Sequence, residues 1–224
     1  MSKPPARPVL VPGLGLDERS SSRLRQLLPA DVVLLPGTGL AEPVPPLEQL
    51  AAALRARLGE GPVLLVGHSQ SCQVVAAAAG DPRVAGLVLL GPTTDPRLRS
   101  PAELALRWLG TAVGERWPRA LLVLPQWLRT GPRAMRQLWA ALAPDRIDAR
   151  LRTVRVPVTV VRGTRDRLCP HDWAAAVAEA APRGRLVEIP GASHLTPMTH
   201  AGQVAALVLA AAGSAEPGRR RTAT

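Results

Sequence analysis

A strand-like apolar run that leads directly into a glycine–serine corner limits the folds open to this chain more than any other feature. Residues 63–66 are Val-Leu-Leu-Val, residues 67–71 are Gly-His-Ser-Gln-Ser, and the alanine-rich stretch 72–79 is typical of a helix. A sharp turn of this kind, a nucleophile elbow, exposes one serine hydroxyl beside the N–H groups that begin the helix. Ser69 is therefore a candidate nucleophile. The same five residues also suit an ordinary structural turn, so the interpretation depends on the rest of the chain.

The length and composition indicate one globular domain. At 224 residues, with 46% hydrophobic and 20% charged residues, the chain can bury one core with an insertion but not two full-sized domains. It has no segment that resembles a signal peptide, and its longest apolar stretches, such as 204–212, fall far short of a membrane span. Cys72 and Cys169 are expected to be free thiols with packing roles. We therefore expect a cytoplasmic protein with no membrane partner.

The positive charge of the chain raises the question of an anionic partner. Lys and Arg number 28 against 17 Asp and Glu, which gives a formal net charge of +11. The basic residues are scattered, and the sequence contains no Tyr or Phe to stack on bases. We therefore attribute most of the charge to a solvated surface and do not expect a nucleic-acid partner. Residues 213–224 are predicted to form a disordered basic tail.

Apolar strand-like segments alternate with helical patterns along most of the chain. The six predicted strands are 9–11, 32–35, 63–66, 84–90, 156–161 and 186–189, and the core helices are 20–28, 47–58, 72–79, 172–181 and 203–212. Strands that are apolar throughout and separated by helices are typical of a parallel sheet buried on both faces. We therefore predict an α/β fold with a mostly parallel sheet of about six strands and helices on both faces. Residues 1–94 and 155–212 form this predicted core.

The segment 95–154 interrupts the alternation and is predicted to be a helical cap, or lid, inserted between two core strands. Short helices are predicted over 104–109, 120–124 and 134–142. The segment holds four of the five tryptophans, Trp108, Trp117, Trp127 and Trp139. Large amphipathic rings in such an insertion suit a cap over a pocket, which makes these four residues candidates for substrate binding. The alternative is that the rings anchor the insertion on the core.

Two further loops carry the side chains that a serine nucleophile needs. Such a serine requires a base to accept its proton and a third group to orient that base. His194 lies in the loop after the last predicted strand, and Asp166 lies in the loop after the strand before it. Since parallel strands end at one edge of the sheet, both loops are expected to meet Ser69 there. The chain order Ser, Asp, His is that of nucleophile-elbow enzymes.

With these motifs the chain resembles the α/β-hydrolase family over nearly its full length. The acid loop of that family, Gly-x-x-Asp-x-x-x-Pro, is matched by residues 163–170, and its Gly-x-x-His motif is matched by residues 191–194. The resemblance implies a catalytic triad of Ser69, Asp166 and His194. The usual first two antiparallel strands of the family have no room before residue 9, so the sheet is expected to be a trimmed version.

Other residues compete for these roles. Asp95 follows the strand 84–90 and occupies an acid position that some relatives use, although Thr-Thr-Asp-Pro also suits a turn that begins the cap. His68 lies within the elbow and is interpreted as a packing residue. His171 and His200 are interpreted as surface residues because neither lies in a suitable loop after a strand.

The resemblance also implies an oxyanion hole made of two backbone N–H groups. One is that of Gln70, the residue after the nucleophile. The other comes from the loop after the first strand, where the family usually has His-Gly-x and this chain has Pro-Gly-Leu, so Leu14 is the candidate. The change from His to Pro leaves the donor in place but alters how the loop is supported.

These expectations define a leading function and two alternatives. The leading hypothesis is a cofactor-free serine hydrolase that cleaves a small carboxylic ester or thioester through an acyl-enzyme on Ser69. No metal-ligand spacing or phosphate-binding glycine loop is present in the sequence. The first alternative is non-hydrolytic chemistry on the same fold, as an acyl transferase, lyase, cyclase or peroxidase-like enzyme. The second is a noncatalytic binding protein. The oligomeric state is left open.

Overall fold

Six parallel strands form the central sheet of the computed structural model, which describes residues 5–98, 107 and 120–214. The strands, in chain order, are β1 (Arg7–Val11), β2 (Asp31–Val32), β3 (Leu35–Pro36), β4 (Gly39–Leu40), β5 (Val63–His68), β6 (Val84–Leu90), β7 (Val158–Gly163) and β8 (Gly184–Ile189). The central sheet has the order β2-β1-β5-β6-β7-β8, and β3 pairs with β4 in a separate two-stranded sheet. Every neighbouring pair in the central sheet is parallel, which confirms the predicted fold class.

Helices cover both faces of this sheet. They are α1 (Ser22–Arg25), α2 (Leu47–Ala56), α3 (Ser71–Ala78), α4 (Ala120–Thr130), α5 (Pro132–Leu142), α6 (Ile147–Leu151), α7 (His171–Ala180), α8 (Thr196–Thr199) and α9 (Ala201–Ser214), with short 3-10 turns at Glu18–Ser21 and Pro96–Leu98. None of the helices in these ranges is both long and apolar enough to cross a membrane.

The side chains of each strand divide between two hydrophobic clusters because successive residues point to opposite faces of a sheet. Leu65 belongs to the cluster under α2, α3, α6 and α7, whereas its neighbours Leu64 and Val66 belong to the cluster under α1 and α9. Leu89 and Leu90 are divided in the same way. This two-sided burial explains why the inner strands β5 and β6 are apolar along most of their length rather than at every second position.

The strand order places a crevice beside the elbow. From β1 the chain moves outward to β2, then returns to β5 on the other side of β1 and continues outward to β8. The winding direction therefore reverses between β1 and β5. In open α/β sheets, ligands bind at such a reversal, outside the carboxyl ends of the strands. The loops that follow β1 and β5 contain Leu14 and Ser69.

Three of the predicted boundaries differ from those of the structure. The predicted strand 32–35 leaves the central sheet after Val32, because the hydroxyl of Thr38 accepts the Leu35 N–H at 2.9 Å. The predicted strand 156–161 begins at Val158, since Pro157 has no N–H to donate to a neighbouring strand. The predicted helix 20–28 is a 3-10 turn followed by the single turn α1.

The described part of the segment 95–154 is mostly helical. The predicted helix 120–124 continues to Thr130 as α4, the helix 134–142 begins at Pro132 as α5, and α6 is an addition. The predicted helix 104–109 lies, apart from Arg107, outside the described residues. Four leucine and isoleucine side chains of α5 and α6 are buried in the main core together with strand residues: Leu138, Leu142, Ile147 and Leu151.

The closing helix is longer than expected. α9 continues through Ser214, two residues into the segment 213–224 that the sequence assigned to a disordered tail. The correction has a simple reason, since Gly213 and Ser214 extend an existing helix at little cost although neither favours a helix by itself. Residues 215–224 lie outside the described residues.

Candidate active site

Ser69 occupies the turn between β5 and α3. Its φ angle is 56°, which makes it the one non-glycine residue with a positive φ in the described ranges. Such backbone strain in an L-residue persists only where the surroundings hold it, and here the Ser69 N–H donates to the Leu90 carbonyl oxygen at 2.8 Å. Gly67 permits the tight corner, because a Cβ there would lie 2.8 Å from Cγ2 of Val75 and 2.9 Å from the Ser71 carbonyl oxygen.

His194 and Asp166 meet Ser69 at the carboxyl edge of the sheet. His194 Nε2 lies 2.9 Å from Ser69 Oγ, and His194 Nδ1 lies 2.8 Å from Asp166 Oδ2. A carboxylate accepts hydrogen bonds, so in the neutral imidazole Nδ1 carries the proton and Nε2 is left to accept from the serine hydroxyl. The three predicted residues are therefore joined in the order that general-base activation of a serine requires.

The carboxylate of Asp166 is held by its own loop. Its Oδ1 accepts the N–H of Leu168 at 2.9 Å and that of Cys169 at 3.0 Å, while Oδ2 faces the imidazole. The competing acid, Asp95, accepts three hydrogen bonds from the Arg97 side chain, so its carboxylate is committed to an ion pair. The geometry therefore favours Asp166 over Asp95 as the partner of His194.

His68 supports the histidine loop from beneath. Its Nε2–H donates to the His194 carbonyl oxygen at 3.1 Å, and the two rings lie 5.2 Å apart. Burial, together with the nearby His194 ring, lowers the pKa of His68 to about 3, which keeps this ring neutral at physiological pH. His171 is exposed and lies 3.1 Å from Glu188, while His200 is half-buried and contacts Thr199. Neither of these two contacts is part of the Ser69 cluster.

The two predicted oxyanion donors flank the nucleophile. A Cβ at Gly13 would lie 3.1 Å from the Ser69 Cβ, so the loop after β1 passes directly beside the serine and continues to Leu14. In the described part of the chain, neither the Leu14 N–H nor the Gln70 N–H donates to another group. Both N–H groups therefore remain available for a substrate oxygen. The Gln70 side-chain amide is buried beside them with neither polar atom hydrogen-bonded.

The four tryptophans that the sequence suggests for substrate binding lie in different places. Trp108 and Trp117 lie outside the described residues. Trp127 is half-buried on α4 and packs against a small hydrophobic cluster that contains Leu16 and Met198, which are close in sequence to Leu14 and His194 respectively. Trp139 is half-buried on α5 and is not part of that cluster.

Both cysteines are buried free thiols, and burial raises the pKa of each. A thiol that stays protonated is a poor nucleophile, so Cys72 and Cys169 do not compete with Ser69. Within the described ranges, no group of three or more His, Cys, Asp or Glu side chains is arranged to hold a metal ion.

Comparison with solved structures finds many similar folds. An esterase from Thermogutta terrifontis is 24% identical, covers 91% of this chain and 88% of its own length, and superposes with a TM-score of 0.65. A carboxylesterase from Nitrososphaera gargenis is 15% identical over 92% and 89% of the two chains, with a TM-score of 0.73. A bromoperoxidase from Bacillus anthracis is 19% identical over 92% and 91%, with a TM-score of 0.69. At these identities the likeness shows the fold alone.

Comparison at the level of sequence gives the family. A search of curated proteins found no match. The model of the alpha/beta hydrolase family matches residues 9–207, which include the elbow, the acid loop and the histidine loop. This match spans most of the chain and agrees with the parallel sheet and its elbow. The chain belongs to the alpha/beta hydrolase family.

Proposed function

We propose that this enzyme is a serine hydrolase that cleaves carboxylic esters or thioesters through an acyl-enzyme on Ser69. The observation that carries the proposal is the hydrogen-bonded line from Ser69 Oγ to His194 Nε2 at 2.9 Å and from His194 Nδ1 to Asp166 Oδ2 at 2.8 Å. The esterases among the similar structures are consistent with this chemistry.

In the first half of the reaction, Ser69 Oγ forms a bond to the substrate carbonyl carbon while its proton moves to His194 Nε2. The carbonyl oxygen becomes an oxyanion, which the N–H groups of Leu14 and Gln70 stabilise by roughly 3 kcal/mol per donor. The bond to the leaving alcohol or thiol then breaks as His194 returns the proton to it. Asp166 orients the imidazole and stabilises its positive charge.

In the second half, water replaces the leaving group. His194 removes a proton from the water, whose oxygen attacks the acyl carbon. The bond from that carbon to Ser69 Oγ then breaks as His194 returns the proton to Oγ, which releases the carboxylic acid and restores the Ser69 hydroxyl. The neutral state of His68 matters here, because a second positive ring 5.2 Å from His194 would oppose protonation of the base.

Replacement of the nucleophile tests this proposal. Ser69→Ala is expected to lower kcat by at least about 10⁴-fold on every substrate of a panel of p-nitrophenyl esters and acyl thioesters. A fluorophosphonate probe should label the wild-type protein at Ser69 and leave the variant unlabelled. Circular dichroism would establish that the variant is folded. Full turnover by a folded Ser69→Ala variant would exclude this mechanism.

A second candidate is peroxidase-like chemistry, in which the acyl group passes to hydrogen peroxide rather than to water; one of the similar structures is named a bromoperoxidase. The two functions share the acyl-enzyme and differ only in its fate. Product analysis with hydrogen peroxide as a competing acceptor separates them. A hydrolase yields mainly carboxylic acid at millimolar peroxide, whereas an enzyme of the second kind yields mainly peracid.

A further inference from the structure

The loop that contains Leu14 is held by side chains of α4, a helix of the inserted segment. The Thr130 hydroxyl donates to the Gly15 carbonyl oxygen at 3.0 Å and accepts the Gly39 N–H at 3.2 Å. One turn earlier on the same helix, Gln126 Oε1 accepts the Asp17 N–H at 3.0 Å. The Gln126 amide group is itself oriented, because its Nε2 donates to the Leu122 carbonyl oxygen at 2.6 Å.

These contacts hold both ends of the tripeptide that follows Leu14. Thr130 binds its first residue, Gly15, and Gln126 binds its last residue, Asp17. The middle residue, Leu16, shares a buried hydrophobic cluster with Val123 of the same helix and with Met198. Since Thr130 and Gln126 are both fully buried, water does not replace either hydrogen bond in the folded protein.

Gly15 is closely surrounded, so the position of the loop is coupled to the helices that pack against it. Gly15 has a φ of +71°, and a Cβ there would lie 2.6 Å from the Trp127 ring and 2.8 Å from the Met135 side chain. Its N–H already donates to the Gly37 carbonyl oxygen at 2.8 Å. The Leu14 N–H belongs to a turn that the Leu16 N–H closes onto the Gly13 carbonyl oxygen at 2.9 Å, and the contacts with α4 fix where this turn lies beside Ser69.

From these contacts we propose that Thr130 and Gln126 are positioning residues that aim the Leu14 N–H at the developing oxyanion. This inference depends on the serine hydrolase function proposed above. An oxyanion donor contributes fully only when it is directed at the position that the oxygen occupies in the transition state. A shift of about 1 Å in such a group costs on the order of 100-fold in rate. α4 is thereby a support of the oxyanion hole.

The test compares Thr130→Val with Thr130→Ser and with a matched control, Thr159→Val. Thr159 is a buried threonine on β7 whose hydroxyl accepts a hydrogen bond from Arg185 at 2.9 Å, so this control loses the same kind of contact away from Leu14. Thr130→Val is expected to lower kcat by about 10- to 100-fold and to change KM by less than about threefold. Thr130→Ser should restore most of the kcat, and Thr159→Val should leave it unchanged.

Inhibitor binding distinguishes a misdirected Leu14 N–H from a general loss of structure in the variant. A trifluoromethyl ketone forms a tetrahedral adduct with an oxyanion, so its Ki should rise in Thr130→Val in proportion to the loss of kcat/KM. The Ki of the product carboxylic acid should change much less. Equal effects on both inhibitors, or a Thr159→Val variant with the same loss of kcat, would overturn the proposal.

A second variant and a hydrogen-exchange measurement complete the test. If Thr130→Val does not fold, Gln126→Met removes the other contact and should show the same pattern in kcat and Ki. Amide hydrogen exchange of a peptide that spans residues 12–17 should be faster in the folded variant and unchanged in Thr159→Val. Unchanged exchange would refute positioning by α4, whereas faster exchange in an enzyme without Ser69-dependent turnover would refute the proposed function and with it the oxyanion role.

Discussion

His68 is expected to make the folded protein sensitive to mild acid. Its pKa is about 3 in the folded state against 6.5 for an ordinary histidine, because the ring is buried and faces His194. Between these two values the unfolded chain binds a proton on His68 and the folded protein does not. Protonation of His68 therefore does not reduce the unfolding free energy above pH 6.5, and it reduces that free energy progressively as the pH is lowered from 6.5 toward 3.

The difference in pKa sets the size of this effect. Each pH unit below 6.5 costs about 1.4 kcal/mol of unfolding free energy, which amounts to roughly 3 kcal/mol at pH 4.5. Carboxyl groups whose pKa values are lowered in the folded state lose their contributions mainly below that pH. These groups are Asp17, Asp81, Asp148, Asp172 and Glu188. Between pH 4.5 and 6.5, the change in unfolding free energy therefore comes mainly from the protonation of histidine rather than of these carboxyl groups.

Urea unfolding followed by tryptophan fluorescence at pH 7.5, 6.5, 5.5 and 4.5 would measure the effect in the wild-type protein and in His68→Gln. The glutamine amide can still donate toward the His194 carbonyl oxygen but does not titrate. The variant is expected to be less stable at pH 7.5, and the difference should shrink by roughly 3 kcal/mol at pH 4.5. A difference that stays constant across the four pH values would refute the argument.

Three further predictions concern single side chains. Asp166→Asn should lower kcat about 10⁴-fold in ester assays, because it no longer holds the productive tautomer of the imidazole, and near-normal kcat would contradict that role. Gly163→Ala should lower the unfolding free energy by about 1–3 kcal/mol, since its Cβ would meet the Ala192 backbone. The control is Gly202→Ala on α9, where the added Cβ would lie in open space, and its unfolding free energy should rise by about 0.5–1 kcal/mol. Equal urea unfolding curves for the two variants would count against the packing argument. Gln70→Met should raise Tm by about 2–4 °C because it removes a buried amide without partners, whereas a lower Tm would mean that the amide is hydrogen-bonded.

Much of the fold was predictable because the strands are buried on both faces. Runs such as 84–90 are apolar at every position, so both their location and their parallel pairing follow from the sequence. Boundaries were less predictable, since they depend on individual hydrogen bonds. The Thr38 hydroxyl that removes Leu35 from the central sheet is three residues away in sequence but belongs to no periodic pattern.

The candidate site likewise has residues that the sequence predicts and contacts that it does not. Ser69, Asp166 and His194 were predictable because each immediately follows a strand, and the ends of parallel strands meet. The choice between Asp166 and Asp95 depended on Arg97, whose guanidinium group is hydrogen-bonded to Asp95. The contacts of Thr130 with the loop after β1 were missed, because they join residues 115 positions apart and depend on how the insertion packs.

The burial of α5 and α6 within the main core has a consequence for engineering the enzyme's specificity. Exchange of the whole segment 95–154 between relatives is a natural strategy, but here it would also remove Leu138, Leu142, Ile147 and Leu151 from the core. A chimera with that junction would fail through loss of stability before its selectivity could be assayed. A junction that retains the chain from Ala120 onward would keep α4, α5 and α6, and with them the buried leucines and the Gln126 and Thr130 contacts, while varying only the earlier residues of the segment.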